Sequence, residues 1–373
     1  MTQLETVRVA PGTFQRLKLY YSQHEERVAA LFFAGGFVFD TVAVGRADSW
    51  HMVAQQALYL AIVTAVLTQM FLAPDEPPLE GLSAVKRFYY RYRLAILSFF
   101  LGTLLNLYTL FFFKSSSLLV SFAFMLVLIA LLALNEFGPF KRLGLSFKFA
   151  LLGLCGLSFC ATVVPVFAGQ IGVTIFLASM AVGCLPMIAL ASWIRRRAPE
   201  RSPAVRNQVI VPFGLVLVVF LAAYLFRVIP PVPLSLPYIG VYHAVERTKD
   251  EYRLSHERPA WRFWHNGDQD FRAQPDDRVF VFFRVFSPTR FADEVRVRWF
   301  HRQERGWVLQ DTIPIKITGG RAEGFRGYGF KSKYQPGEWK VQIETADERE
   351  IGRIYFTLEI VPPSPRSFAV DIH

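Results

Sequence analysis

Residues 228–373 contain no cysteine, which excludes a disulfide framework and a thiolate metal site from that part of the chain. The three cysteines, Cys155, Cys160 and Cys184, all lie in apolar runs, where the side chain behaves as a small hydrophobe. Acidic residues are scarce in 1–227, which holds 10 Asp+Glu against 19 Lys+Arg; 228–373 holds 20 against 22, and the two parts sum to the net charge of +11. The basic excess therefore belongs to the first part, in short segments between long uncharged runs. Membrane topology accounts for such a pattern better than nucleic acid does, and no nucleic-acid partner is expected. Phosphate-binding and nucleophile motifs of the G-x-x-x-x-G-K-[ST] and G-x-S-x-G types are missing as well.

Apolar side chains are abundant: 53% of the chain is hydrophobic, with 36 Phe. A bilayer core of ~30 Å needs about 20 apolar residues in a helix. Seven runs fit, at about 28–46, 51–73, 94–113, 117–135, 147–168, 172–194 and 208–227. The segments before the first run and after the second, fourth and sixth carry 16 basic residues, Arg195, Arg196 and Arg197 among them. The opposite side has Arg46, Lys114 and Arg227. Lys and Arg stay on the cytoplasmic side. This predicts a multi-pass protein of the bacterial inner (cytoplasmic) membrane, with a cytoplasmic amino terminus and a periplasmic carboxyl-terminal domain. Residues 1–27 read as a cytoplasmic tail with a juxtamembrane helix, and no cleavable signal peptide is expected. Gly35, Gly36, Gly153 and Gly156 suggest close helix packing, and Pro165 and Pro186 suggest kinks.

"RVIPPVPLSLP" places four prolines in eight residues and reads as an extended spacer over 228–239. Beyond it the hydrophobic period falls to two. The segments 277–286, 294–302, 307–317, 338–346 and 352–361 are rich in Val, Ile, Phe, Tyr and Trp, separated by turn residues. The expected fold is an all-α seven-helix transmembrane bundle followed by an all-β antiparallel sandwich, Ig-like, over 240–363, with a tail at 364–373.

Two groups of residues stand out. Asp40 interrupts the first run, and an ionisable group inside a membrane is a functional candidate. With Arg46, Asp48, His51, Asn106, Lys114 and Arg227 it can line a polar pocket at the outer leaflet, the basic members suiting a phosphate head group. A structural salt bridge from Asp40 to Arg46 or Lys114 is the plainer reading. The second group is "TGGRAEGFRGYGFKSK", 318–333, with five glycines. It reads as a turn leading into a strand. There Arg321, Arg326, Tyr328 and Lys331 form a candidate ligand face; alternatively Tyr328 and Phe330 face the core while Arg321, Lys331 and Lys333 are solvated. "WHNGDQDF" with His265, Asp268 and Asp270 reads as turn chemistry. His243, His256 and His301 show no zinc spacing and read as solvated or interface histidines.

"DRVFVFFRVFSPTRF", "VRVRWFHR", "GGRAEGFRGYGFKSK", "GEWKVQIET" and "GRIYFTLEI" resemble a bacterial domain of unknown function. "GGFVFDTVAVGRADS" and "FFFKSSS" resemble the multi-helix membrane region that precedes it in one branch, itself of unknown function. The resemblance covers nearly the whole chain and implies no reaction, cofactor or catalytic residue.

The residues point to a non-enzymatic membrane protein whose periplasmic sandwich binds an envelope glycan, lipid head group or partner protein. No cofactor or metal is expected; membrane lipids are expected partners. One alternative is a membrane enzyme or carrier acting on an anionic lipid-linked substrate at the outer-leaflet pocket. A second is an envelope sensor, though no inward signalling domain is visible.

Overall fold

The computed structural model describes residues 49–73, 82–115, 130, 144–249, 251–288, 291–319 and 324–373. The tail at 1–27, the expected first span and, apart from Ala130, the expected fourth lie outside them.

Five helices among the described residues are long and apolar enough to cross a membrane. They are α1 (Trp50–Leu72), α2 (Ala84–Lys114, most apolar over Ile96–Lys114), α3 (Leu145–Ala168), α4 (Val173–Arg197) and α5 (Pro199–Leu225). Each overlaps one expected span. The 24 residues of α3 reach ~36 Å, enough for a hydrocarbon core. Largely buried, α3 is the centre of the group and packs against the other four helices. Small residues let its neighbours in. A Cβ on Gly153 would come within 2.7 Å of the Phe213 ring of α5, and one on Gly183 of α4 within 2.9 Å of Leu157. Among the described residues nothing lies within 4 Å of a Cβ built on Gly156. Lipid-type surface remains on the outer helices, where Leu185, Ile188, Leu215 and Val218 are exposed.

α3 ends at Gly169 in the left-handed conformation (φ 69°), whose N–H bonds to the Pro165 carbonyl at 2.9 Å. α5 contains a π-helical turn, Arg206–Ile210.

The prolines after α5 do not form an exposed spacer. Ile229 and the stretch Pro230–Leu234 are buried, because the pyrrolidine rings and their neighbours fill the junction between helices and strands. Strand β1 (Ser235–Tyr242) then starts inside the expected linker. The other strands are β2 (Ala244–Arg247), β3 (Tyr252–His256), β4 (Asp270–Ala273), β5 (Val279–Phe286), β6 (Ala292–Gln303), β7 (Gly306–Thr318), β8 (Phe325–Lys331), β9 (Gly337–Thr345), β10 (Glu350–Ile360) and β11 (Ala369–Ile372).

Two sheets, β1-β5-β8 and β4-β10-β9-β6-β7, face each other across one core. Alternation builds it: Val279, Val281, Phe283 and Val285 from one sheet meet Val297, Trp299, Val341, Ile343 and Phe356 from the other. All pairings are antiparallel except β4 with β10, which is parallel. A third sheet, β11-β3-β2, covers part of the outer face of β1-β5-β8 through Tyr252, Leu254, Tyr242 and Phe282. The expected tail at 364–373 thus contributes a strand: β11 pairs with β3, and Tyr252 and His373 exchange backbone hydrogen bonds at 2.7 and 3.0 Å.

Three joints fix the sandwich to one end of the helices. The Ala292 N–H donates to the Gly169 carbonyl at 3.1 Å, and Ile171 after it packs against the sandwich core. The Arg349 guanidinium, buried, donates to the carbonyls of Tyr224 (2.9 Å) and Ile229 (3.3 Å) and to Asp347 (2.8 Å), and lies 3.5 Å over the Tyr224 ring. Arg227 pairs with Glu348 at 3.0 Å. The helices run alternately, so the basic segments at the start of α2 and between α4 and α5 lie at the opposite end from the sandwich.

Candidate functional site

The residues singled out in the first part of the chain fall partly outside the described residues. Asp40, Arg46 and Asp48 lie outside them. His51 is exposed in the first turn of α1. Lys114 closes α2 at the sandwich end, and Asn106 sits two turns deeper, about 12 Å along the axis. Arg227 is drawn to the sandwich by Glu348.

The glycine-rich strand splits the second group in two. On β8 the glycines Gly327 and Gly329 point to the core, since a Cβ at Gly327 would stand 2.7 Å from the Phe283 ring. Arg326, Tyr328 and Phe330 take the outer face, so neither Tyr328 nor Phe330 enters the core, and both remain about two-fifths exposed. Tyr328 stands edge-on to Tyr252 at 6.3 Å, and the Arg326 guanidinium lies 5.8 Å over Tyr252. Lys331 is on the other face, paired with Asp311 at 3.4 Å. Arg321 lies outside the described residues.

A cleft that the sequence did not announce lies at the far end of the sandwich. Its volume is about 530 Å³, and its walls come from the 257–272 segment and the end of β10 at Thr357 and Glu359. An adjoining hollow of about 240 Å³ shares Gln269, Asp270 and Thr357 with it and continues to Trp307, Glu338 and Tyr355. The 257–272 segment holds its shape by backbone bonds. Arg262 donates to the Pro259 carbonyl (3.0 Å) and His265 to the Arg262 carbonyl (3.1 Å). Gly267 has φ 66°, and a Cβ there would overlap the Val241 carbonyl oxygen at 1.9 Å, so only glycine lets the loop lie on β1. Asp268 N–H donates to Val241 O at 2.7 Å, locking that contact. The turn expected at "WHNGDQDF" is present, and it aims His265 and Asp270 into the cleft.

Exposed aromatic residues flank the wall residues Arg262 and His265. Trp261, Phe263 and Trp264 are 62%, 80% and 58% exposed. Trp264 meets Trp261 and Phe263 edge-on at 5.7 and 5.1 Å, and the Arg262 guanidinium lies 4.9 Å over Trp261 while pairing with Asp270. At the other end Trp307 and Tyr355 stand 5.6 Å apart. The Gln269 amide donates to the Tyr355 carbonyl at 3.0 Å and fixes the floor between them.

Behind the wall is a buried polar cluster. His243 lies flat on Phe271 (4.0 Å, 22°), with Nε2 at 3.6 Å from Asp268 and 3.7 Å from Glu257. Burial and then the Arg366 charge bring its pKa down to about 4, so the ring is neutral at neutral pH. Burial pushes the Asp268 carboxyl up to about 6, although it accepts the Glu257 N–H at 2.8 Å. Burial also acts on Asp277, but the Arg366 fork at 2.8 and 3.0 Å and the Gln274 N–H outweigh it and hold that carboxyl below its usual range. His256 pairs with Asp371 of β11 at 3.2 Å. His301 is buried against Trp339 at 4.8 Å. These histidines are therefore interior groups, not solvated ones. Among the described residues no set of three or more His, Cys, Asp or Glu is placed to hold a metal ion.

A family model described as "Protein of unknown function (DUF2914)" matches residues 292–358, from the first residue of β6 into β10. No curated protein matches the chain. Among solved structures, an immunoglobulin-like protein from Pseudomonas aeruginosa is 9% identical, with 34% of this chain and 98% of that chain covered and a TM-score of 0.21. The alkylpurine DNA glycosylase AlkC from Pseudomonas fluorescens, bound to DNA containing an abasic site analog, is 13% identical, with 84% and 100% covered and a TM-score of 0.22. Scores that low carry no argument about fold or function, and the sandwich rests on its own sheet pairing and shared core.

Proposed function

We propose that this is a non-enzymatic, multi-pass inner-membrane protein whose periplasmic sandwich binds a component of the cell envelope. The observation that carries the reading is the distal cleft with the exposed aromatic residues that flank its wall. Exposed Trp and Phe side chains clustered beside convergent polar groups mark a recognition surface, since contiguous apolar patches rimmed by polar groups are uncommon on protein surfaces except where something binds. The proposed orientation draws on the basic ends of the helices, which lie opposite the sandwich and belong in the cytoplasm by the positive-inside bias. This orientation also draws on the spans expected at 28–46 and 117–135, which apart from Ala130 lie outside the described residues. The second reading, a lipid-processing pocket built on Asp40 and Lys114, gains no support from Arg227, which is engaged by Glu348.

A photo-crosslinking residue placed at Glu359 in the full-length protein, in living cells, tests the reading. Adducts with an envelope glycan, lipid or protein are expected there and not from the same residue placed at Lys316, which is near the helix end of β7. Equal adduct yields from both positions, or none from either, would sink it.

A further inference from the structure

We infer that the occupant of the distal cleft is a glycan chain, bound along the row from Trp261 and Trp264 to Trp307 and Tyr355. This rests on the proposed function and names its ligand class. The larger cleft is lined by three arginines and four carboxylates, and the closest of them are already matched, Arg262 with Asp270. A phosphate-rich ligand needs an unmatched cationic surface, which this cleft lacks. The cleft is open and polar, so it does not enclose an acyl chain. It also lies at Thr357–Glu359, about 25 Å up β10 from the Arg349 joint at ~3.3 Å per residue, beyond the reach of lipid head groups.

A sugar ring has apolar C–H faces and polar hydroxyl edges. Broad aromatic faces suit the first, and planar groups that bond two neighbouring hydroxyls at once suit the second. The lining supplies Asp270, Gln269 and Arg272, with Tyr355 and Trp307 in the adjoining hollow, and two exposed rings flank it: Trp261 lies under the Arg262 guanidinium of the wall at 4.9 Å, and Trp264 stands 6.1 Å from the His265 ring of the wall. From Glu359 to Tyr355 is about 13 Å along the strand, which is room for more than one sugar ring. Arg272 and Glu359 are neighbours in the β4–β10 register, one donor and one acceptor side by side at the edge of the cleft.

The test uses the full-length protein in detergent. It is titrated with soluble β-1,4-linked N-acetylglucosamine oligomers, glucose oligomers and glycan strands from peptidoglycan, each from dimer to hexamer, and read by tryptophan fluorescence and calorimetry. Affinity for at least one series should rise with chain length. Trp264→Ala, at an exposed position whose loss leaves the core intact, should weaken binding about tenfold, the equivalent of one lost ring contact. Tyr355→Ala should weaken the hexamer and spare the dimer. Unchanged melting temperatures of both variants confirm that they fold. If no glycan binds, or Trp264→Ala binds as wild type does, the inference fails. If crosslinks at Glu359 then still yield an envelope lipid or protein, the broader reading survives it; if they yield nothing, both fall.

Discussion

At the scale of single residues, the most informative group is Asp268. Its carboxyl is buried beside a neutral His243, and its folded pKa is raised to about 6 from 3.8. A raised acid contributes stability that is fully present below the unfolded value and is lost as pH rises through about 6. Asp268→Asn keeps an oxygen for the Glu257 N–H and removes the charge. It should therefore stabilise the sandwich by about 1–2 kcal/mol at pH 8, part of the ~1.4 kcal/mol per pH unit that linkage allows, with no gain near pH 4. Thermal melts of the full-length protein at the two pH values check this; equal effects at both would show that Asp268 is not the burdened group. His243 works in the opposite sense. Its lowered pKa gives stability present above 6.5 that is lost as pH falls through about 4. The charge state of this pair was not legible in the sequence, because His243, Glu257, Asp268 and Asp277 meet only through tertiary packing.

At the scale of elements, β11 is held by side chains as much as by its ladder. Arg366, in the segment leading to it, forks Asp277 and faces Glu257 at 3.7 Å. Arg366→Ala should release β11 locally at a cost of about 1.5–3 kcal/mol, typical of charge-assisted bonds at a half-buried site. Hydrogen exchange should then speed up at 369–372 while β6 and β9 keep their protection; a uniform loss across the sandwich would contradict a local role. β5, β6, β7, β9 and β10 were readable because their apolar residues alternate over 8 to 13 positions. β2, β4 and β11 have four residues each, too few for a period to show. β1 hid behind Pro233 and Pro237. The cleft hid for another reason: its walls are some 90 positions apart, as the Gln269–Tyr355 bond shows, and its rim looked like an ordinary loop. The glycine-rich strand was legible as a strand. Which face its aromatics took depended on Phe283, the cross-strand partner on β5, whose ring demands glycine at 327.

At the scale of the whole molecule, topology is the claim that most needs measurement. Single cysteines introduced at Glu304, in the β6–β7 turn, and at Arg196, at the end of α4, report on the two ends. A membrane-impermeant thiol reagent should label Glu304→Cys in cells with a permeabilised outer membrane and label Arg196→Cys only after the inner membrane is opened. The reverse pattern would turn the molecule over and remove the cleft from the envelope.

The joint at Arg349 sets what such an arrangement can do. A tethered domain on a loose cord samples a hemisphere and finds its target by wandering. This one is bolted to the last helix through buried carbonyls and a stacked tyrosine, with prolines wedged into the seam. On the proposed topology, its working end stands at a constant height above the bilayer, like a gauge on a fixed post. Whatever it meets must come to that height, so changes in the thickness of the surrounding layer would decide occupancy as directly as the chemistry of the contact.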